Sequence, residues 1–218
     1  MMPLLQRPWM QSASGRAVSM LEPDPASIDL TIDIPEQLAR LARFAGAPRG
    51  GIYSVAQHCV LGADALRRET GRDDIALAFL LHDAHEAYLG DITSPVASAL
   101  VSYAMAALGE TAATGVTAAI AGLKHTFDRA IYAAAGLPWP PHREILAEVK
   151  RMDARMLMTE RDHLMVRPPM RWHAQLESLP RVRLSCGAIK PWPWPRAADE
   201  WRQRFHLYRT AFLRSTCP

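Results

Sequence analysis

Three segments with helical periodicity each carry a proton- or cation-binding side chain on the face that packing would otherwise fill with apolar residues. This restricts the chain to folds in which those faces meet. In the first segment His58 shares a stripe with Val55, Leu61 and Ala65. In the second, His82 lies three and seven residues after Phe79 and Ile75, with Asp83 beside it. In the third, Asp153 follows Val149 by four and precedes Met156 and Leu157 by three and four, so a carboxylate sits on the apolar side of the most regularly amphipathic stretch. Burying an unpaired charge is costly. Taken singly, a core histidine is most often hydrogen-bonded structure and a mid-helix Asp most often solvated. Taken together, two imidazoles and two carboxylates on three core-facing stripes can satisfy one another by converging on a divalent cation. Spacing alone leaves both readings open.

The rest of the chain reads as mostly helical. Residues 1–26 carry Pro3, Pro8, Pro23 and Pro25 among Ser and Gly, which predicts a loose lead-in; residues 27–218 read as one domain. Alternation in 28–33 predicts a short strand, followed by a helix over 34–44. Ser54 to Gln57 is a capping-box pattern opening a helix that Gly71 ends. Asp73 or Asp74 caps the next, expected to run to Tyr88 and stop at Gly90. Ala-rich helices are expected over about 96–108 and 111–135, an amphipathic one over 142–164 and a last one over about 197–213. Arg181 to Ser185 reads as a short edge strand, and Trp192 and Trp194, set between prolines, as pins for the C-terminal segment. The expected class is therefore all-α with at most a short peripheral β element.

Composition narrows the setting. The formal net charge of +3 is too small for a protein that wraps a polyanion, while single phosphate groups stay allowed as ligands. Cys59, Cys186 and Cys217 form no CxxC pair, so neither a disulfide framework nor a zinc knuckle is indicated. The apolar run Val96 to Leu108 is interrupted by Ser98 and Ser102 and falls short of the roughly 20 residues of a bilayer span, and no secretory signal is seen. The expectation is a soluble, cytoplasmic protein with no membrane or nucleic-acid polymer as partner. Arg161, Arg167, Arg171, Arg181 and Arg183 could form a basic nucleic-acid face, but they lack a recognition motif and read as a solvated surface.

The donor types point to chemistry. Two imidazoles with two carboxylates suit Mn, Co, Fe, Ni or Zn better than calcium. Glu86 stands four residues after His82, one turn along the same face, and Asp91 follows Gly90, able to turn back over the site. Two carboxylates beside a metal suit proton transfer. A rival pairing of His82 with His85 as zinc ligands lacks the HExxH order, and His85 reads as a rim or surface residue.

The order His58, His82-Asp83, Asp153 resembles the H…HD…D signature of the HD-domain phosphohydrolases, and the surrounding strings extend the likeness. HDAHEAYLGDITSPV is similar to the HDAxExxxGDxPxPV stretch of the YfbR-like 5′-deoxynucleotidase branch, SVAQHC to its SVxEHS helix start, and Arg43-Phe44 stands where that branch has an Arg with an aromatic neighbour. The resemblance spans about residue 28 to 201. It implies a helical bundle in which His58, His82, Asp83 and Asp153 hold one divalent transition metal (Co, Mn, Zn, Fe or Ni), with Mg able to accompany the substrate. It further implies that Glu86 and Asp91 are catalytic, with Glu86 near the attacked phosphorus and Asp91 assisting the leaving 5′ oxygen. Arg43 would hold phosphate and Phe44 would pack beside the sugar. Phe44 replaces the usual Trp and Gln57 a frequent Glu. The implied activity is metal-dependent hydrolysis of deoxyribonucleoside 5′-monophosphates to nucleoside and phosphate, in a homo-oligomer. The alternatives are triphosphate release from deoxynucleoside triphosphates at the same site and, in another class, a non-catalytic nucleotide-binding regulatory module.

Overall fold

The computed structural model describes residues 7–216. Residues 1–6 of the expected lead-in, and Cys217, lie outside them. The architecture is mostly α with one small antiparallel β pair at its periphery, β1 (Trp9–Gln11) against β2 (Ala17–Ser19). The helices are α1 (Asp33–Arg40), α2 (Val55–Thr70), α3 (Asp73–Leu81), α4 (Glu86–Leu89), α5 (Ser94–Leu108), α6 (Glu110–Ala135), α7 (Arg143–Leu164), α8 (Ala174–Glu177) and α9 (Trp194–Thr216). Among the described residues no single helix is long and apolar enough to cross a membrane.

Helix α2 is the axis of the core. Ser54 caps it by accepting from the Gln57 amide, and Gly71, at φ 68°, closes it in the left-handed conformation that glycine adopts without steric cost. From Val55 to Ala63 every residue of α2 is buried, so α1, α3, α7 and α9 can pack around it. Helix α3 crosses α2 where Gly62 leaves room for the ring of Phe79. From α9, Trp201, Phe205 and Tyr208 are buried in the same core, the first two stacked at 5.4 Å between ring centroids. The fork of Arg204 closes on both oxygens of Asp64, tying α9 to α2. Helices α5 and α6 pair mainly with each other.

Five local expectations give way, three of them to a specific hydrogen-bond arrangement. The alternating segment 28–33 forms no strand, because Asp29 Oδ1 accepts from the amides of Thr31 and Ile32, both at 2.8 Å, and winds the chain into the start of α1. The strands lie instead in the segment expected to be loose. Asp33 anchors their connection by accepting from the Ser14 amide (2.6 Å) and hydroxyl (2.9 Å), with Val18 fully buried beneath. Helix α1 stops at Arg40, short of Phe44. Arg181 to Ser185 is not a strand: the Val182 amide donates to Thr159 Oγ1 at 2.8 Å, a partner from a helix side chain rather than from a neighbouring strand. Downstream, the side-chain amide of Gln57 donates to the Lys190 carbonyl and accepts from the Trp192 amide, both at 2.9 Å, which clasps the Pro-Trp segment to the core. A Glu at position 57 could not make the first of these bonds. Helix α9 then starts at Trp194, three residues early, because Pro195 is tolerated in a first helical turn.

A methyl group on Gly62 would fall within the ring of Phe79, which is fully buried and lies 4.4 Å from the His82 ring and 5.5 Å from that of His58. Gly62→Ala is therefore expected to lower unfolding stability by about 1–3 kcal/mol, the cost of overpacking a close-packed core. Urea unfolding followed by circular dichroism checks this; an unchanged midpoint would contradict the packing described.

Candidate metal centre

The segment that carries His82 changes its winding just where the side chains become polar. The expected single helix through Tyr88 breaks after Leu81, and four amides there donate to the carbonyl three residues back: Ala84 to Leu81 (3.0 Å), Glu86 to Asp83 (2.9 Å), Ala87 to Ala84 (3.2 Å) and Tyr88 to His85 (3.0 Å). Tighter 3-10 winding of this kind eclipses residues three apart. Asp83 and Glu86 therefore come together, along with His85. A second correction concerns His85. It is 5% exposed, not a rim residue, and its Nδ1 lies 2.9 Å from Asp128 Oδ1 of α6.

Helices α2 and α7 and the turn after α3 bring His58, His82, Asp83 and Asp153 to one place. His58 Nε2 lies 3.4 Å from His82 Nε2, 3.3 Å from Asp153 Oδ1 and 3.8 Å from Asp83 Oδ2. His82 Nε2 lies 3.2 Å from Asp83 Oδ2 and 3.7 Å from Asp153 Oδ1. Neighbouring donors around a single ion with bonds of about 2.0–2.3 Å are separated by roughly 2.8–3.8 Å. All five of these separations fall in that range. His58 is fully buried, whereas the Asp153 side chain is 44% exposed, so the cluster faces solvent on the α7 side.

Both imidazoles are held with Nε2 turned inward. His58 Nδ1 lies 2.5 Å from Glu160 Oε1, and His82 Nδ1 lies 2.6 Å from the Phe79 carbonyl. Opposite an acceptor, Nδ1 is the donor, so Nε2 is the nitrogen left to ligate an ion once it gives up its proton, the arrangement that orients and strengthens a histidine ligand. Glu160 is completely buried, and it also accepts from the Tyr53 hydroxyl (2.8 Å) and Arg43 Nε (3.2 Å). Burial would raise its carboxyl, but the charges of Arg43 and His58 outweigh that and hold it below the usual range. Burial also pushes the His82 imidazole down, and Asp83 and Asp153 overcome it, holding His82 well above its ordinary value; Asp83 and Asp153 are themselves held low, against burial, by the two imidazoles. Such a carboxylate-rich pocket draws positive charge, and protons and a divalent cation compete for the same lone pairs. The donors present thus fit a transition-metal ion.

The remaining expected residues flank this cluster. Glu86 is 6% exposed, its Oε2 has no protein partner, and burial together with Asp83 and Asp91 pushes its carboxyl up to about 9. Asp91, half-buried beyond Gly90, is raised by burial and by Asp83, against Arg43 and Lys124. Arg43 points inward: besides Glu160, its Nη1 reaches Asp83 Oδ2 at 3.4 Å. Phe44 and Ala45 are both left-handed, at φ 54° and 51°, a conformation that costs a non-glycine residue roughly 1–2 kcal/mol. The bond from the Arg43 amide to the Tyr53 carbonyl (2.9 Å) holds the start of this bend. Of the arginines read as a solvated surface, Arg161 is instead buried and pairs with Glu177 and Asp162, and Arg181 pairs with Asp162.

Sequence reasoning missed Glu160, Tyr53, Asp128 and Lys124. Glu160 had a signal. It stands seven residues after Asp153, two turns along the same apolar face of α7.

No family model matches this chain. Two relatives are similar over part of it: an uncharacterized protein of Rhodobacter capsulatus, 38% identical over 99 residues that make up 44% of this chain and 50% of that protein, and the uncharacterized protein YfdR of Escherichia coli K12, 41% identical over 71 residues, 33% of this chain and 36% of that one. The chain spans half or less of the length of these curated relatives.

The Glu160–His58 pair yields a direct test. Glu160→Gln keeps an acceptor for Nδ1 but removes the charge, so Mn2+ affinity measured by isothermal titration calorimetry should fall about 10–100-fold. Unchanged affinity would show that Glu160 does not support the donor set.

Proposed function

We propose that the protein is a metal-dependent phosphohydrolase acting on nucleotides, hydrolysing deoxyribonucleoside 5′-monophosphates to nucleoside and inorganic phosphate. The observation that carries this reading is the convergence of His58 Nε2, His82 Nε2, Asp83 Oδ2 and Asp153 Oδ1 within 3.2–3.8 Å contacts, with Glu86 and Asp91 alongside. The resemblance of the HDAHEAYLGD and SVAQHC strings to the HD-domain 5′-deoxynucleotidases supports the substrate class. A divalent ion held by these four residues would supply Lewis-acid chemistry, acidifying a bound water and offsetting phosphate charge.

The chain's own groups supply the rest. Nδ1 contacts to Glu160 and to the Phe79 carbonyl keep both imidazoles from rotating, so the donors need no reorganisation when substrate enters. Arg43 brings a permanent positive charge beside Asp83, where a phosphate approaching from the open Asp153 side meets it. In hydrolysis the bond from the water oxygen to phosphorus forms as the bond to the 5′ oxygen breaks. A proton leaves the water and one reaches the leaving oxygen. In the ion-free protein Glu86 keeps its proton at neutral pH, and Asp91, half-buried after Gly90, is raised as well, so this pair is suited to handling protons on the two sides of the phosphorus. The same reading assigns the ring of Phe44, 5.6 Å from the Arg43 guanidinium, to packing beside the sugar.

A product assay over the four deoxynucleoside mono- and triphosphates, with Mn, Co, Zn and Mg in turn, tests the proposal. The expected result is free phosphate from monophosphates, abolished by chelation and reduced at least about 100-fold by Asp83→Ala. Full turnover by Asp83→Ala would refute it, and inorganic triphosphate as the product would shift the substrate to triphosphates.

A further inference from the structure

We infer that the protein holds a second divalent cation, bound by His85, Glu86 and Asp83 on the other side of Asp83 from the His58 cluster. Ligating atoms of these three residues lie within 4.8 Å of one another, and Asp83 belongs to both donor groups. The inference rests on the reading of Asp83 as a metal ligand and refines one role in it: with the second ion bound, Glu86 serves as a carboxylate ligand, and its neutral form belongs to the protein without that ion.

The first support is two buried acceptors without a protein partner. His85 Nε2 and Glu86 Oε2 are shielded from solvent in residues 5% and 6% exposed, and neither makes a hydrogen bond within the protein. Leaving such buried groups without a partner is costly. Had Glu86 simply kept its proton and donated it to His85, the two atoms would be bonded to each other, and they are not. A species that accepts lone pairs from both resolves the conflict, and a cation does so.

The second support is the tautomer. Asp128 Oδ1, 2.9 Å from His85 Nδ1, makes that nitrogen the donor and leaves Nε2 as a lone pair, repeating on α6 what Glu160 does for His58 on α7. A carboxylate behind the imidazole is a costly way to hold a structural histidine whose other nitrogen has no partner, and the usual way to hold a ligand. One imidazole and two carboxylates suit Mn2+ and ions like it. Two such ions sharing a carboxylate would clamp both sides of a phosphate ester.

Crystals of the intact chain grown with Mn2+ and measured at the manganese edge decide the matter. The expected anomalous map shows two peaks, roughly 3.5–4 Å apart, one among His58, His82, Asp83 and Asp153 and one against His85, Glu86 and Asp83. A peak at the first position alone, or water at the second, overturns this inference and leaves the proposed function standing. A peak at the second alone keeps the inference and removes the site on which that function rests, and no peak at either overturns both. In solution, calorimetric titration with Mn2+ should give two ions per chain. Asp128→Asn should weaken the second by about 10–100-fold while sparing the first, and equal weakening of both, or of neither, would contradict the assignment. His85→Gln, shown folded by circular dichroism, should bind one ion, and two would overturn the inference.

Discussion

The site depends on one buried contact, that of Glu160 with His58. An ionised carboxylate with no exposure to water survives in a core only if its charge is met, and here an imidazole, a phenol and a guanidinium from three different parts of the chain meet it. Each of these partners is fixed in return. His58 must turn Nε2 towards the cluster, Tyr53 secures the approach to α2, and Arg43 is drawn in beside Asp83 across a bend whose next two residues are left-handed. Removing one partner from such a network leaves the others unsatisfied, which is why buried networks of this kind hold a single arrangement.

A second constraint is the winding of residues 82–88. A regular α-helix through this segment would have set His82 over Glu86 and turned His85 aside. The tighter turn instead divides the string in two, sending His82 towards α2 and α7 and His85 towards α6, with Asp83 between them. Gly62 and Phe79 support this from below. The ring that fills the space above the glycine is also the floor on which both imidazoles rest.

Much of this was legible in the sequence. Helical periodicity located α2, α5, α6 and α7 closely, because their apolar stripes and their capping or terminating residues agree. The four residues His58, His82, Asp83 and Asp153 stood out because polar groups on apolar faces conflict with packing, and the structure brings them together. What stayed hidden depends on side chains that replace backbone partners. Asp29 winds 28–33 into a turn by a local side-chain bond, while Thr159 and Gln57 holding the 182–192 segment and Asp33 anchoring the β pair across nineteen residues are bonds between distant residues, and none of these has a period. The burial of His85 was missed for a related reason. Its partner Asp128 lies forty-three residues away on a helix that reads as plain Ala-rich packing. Glu160 could have been found, by applying to residue 160 the rule that singled out residue 153.

The central claim is that His58 and His82 present Nε2, with Nδ1 protonated, to a common ion. Long-range proton–nitrogen NMR of histidine side chains in protein titrated with Zn2+ reads this directly. The account predicts that in both rings Nδ1 carries the proton and that the Nε2 resonances alone move to metal-bound values, together and at the same equivalent of zinc. Coordination through Nδ1 in either ring, or a response from one ring without the other, would contradict it.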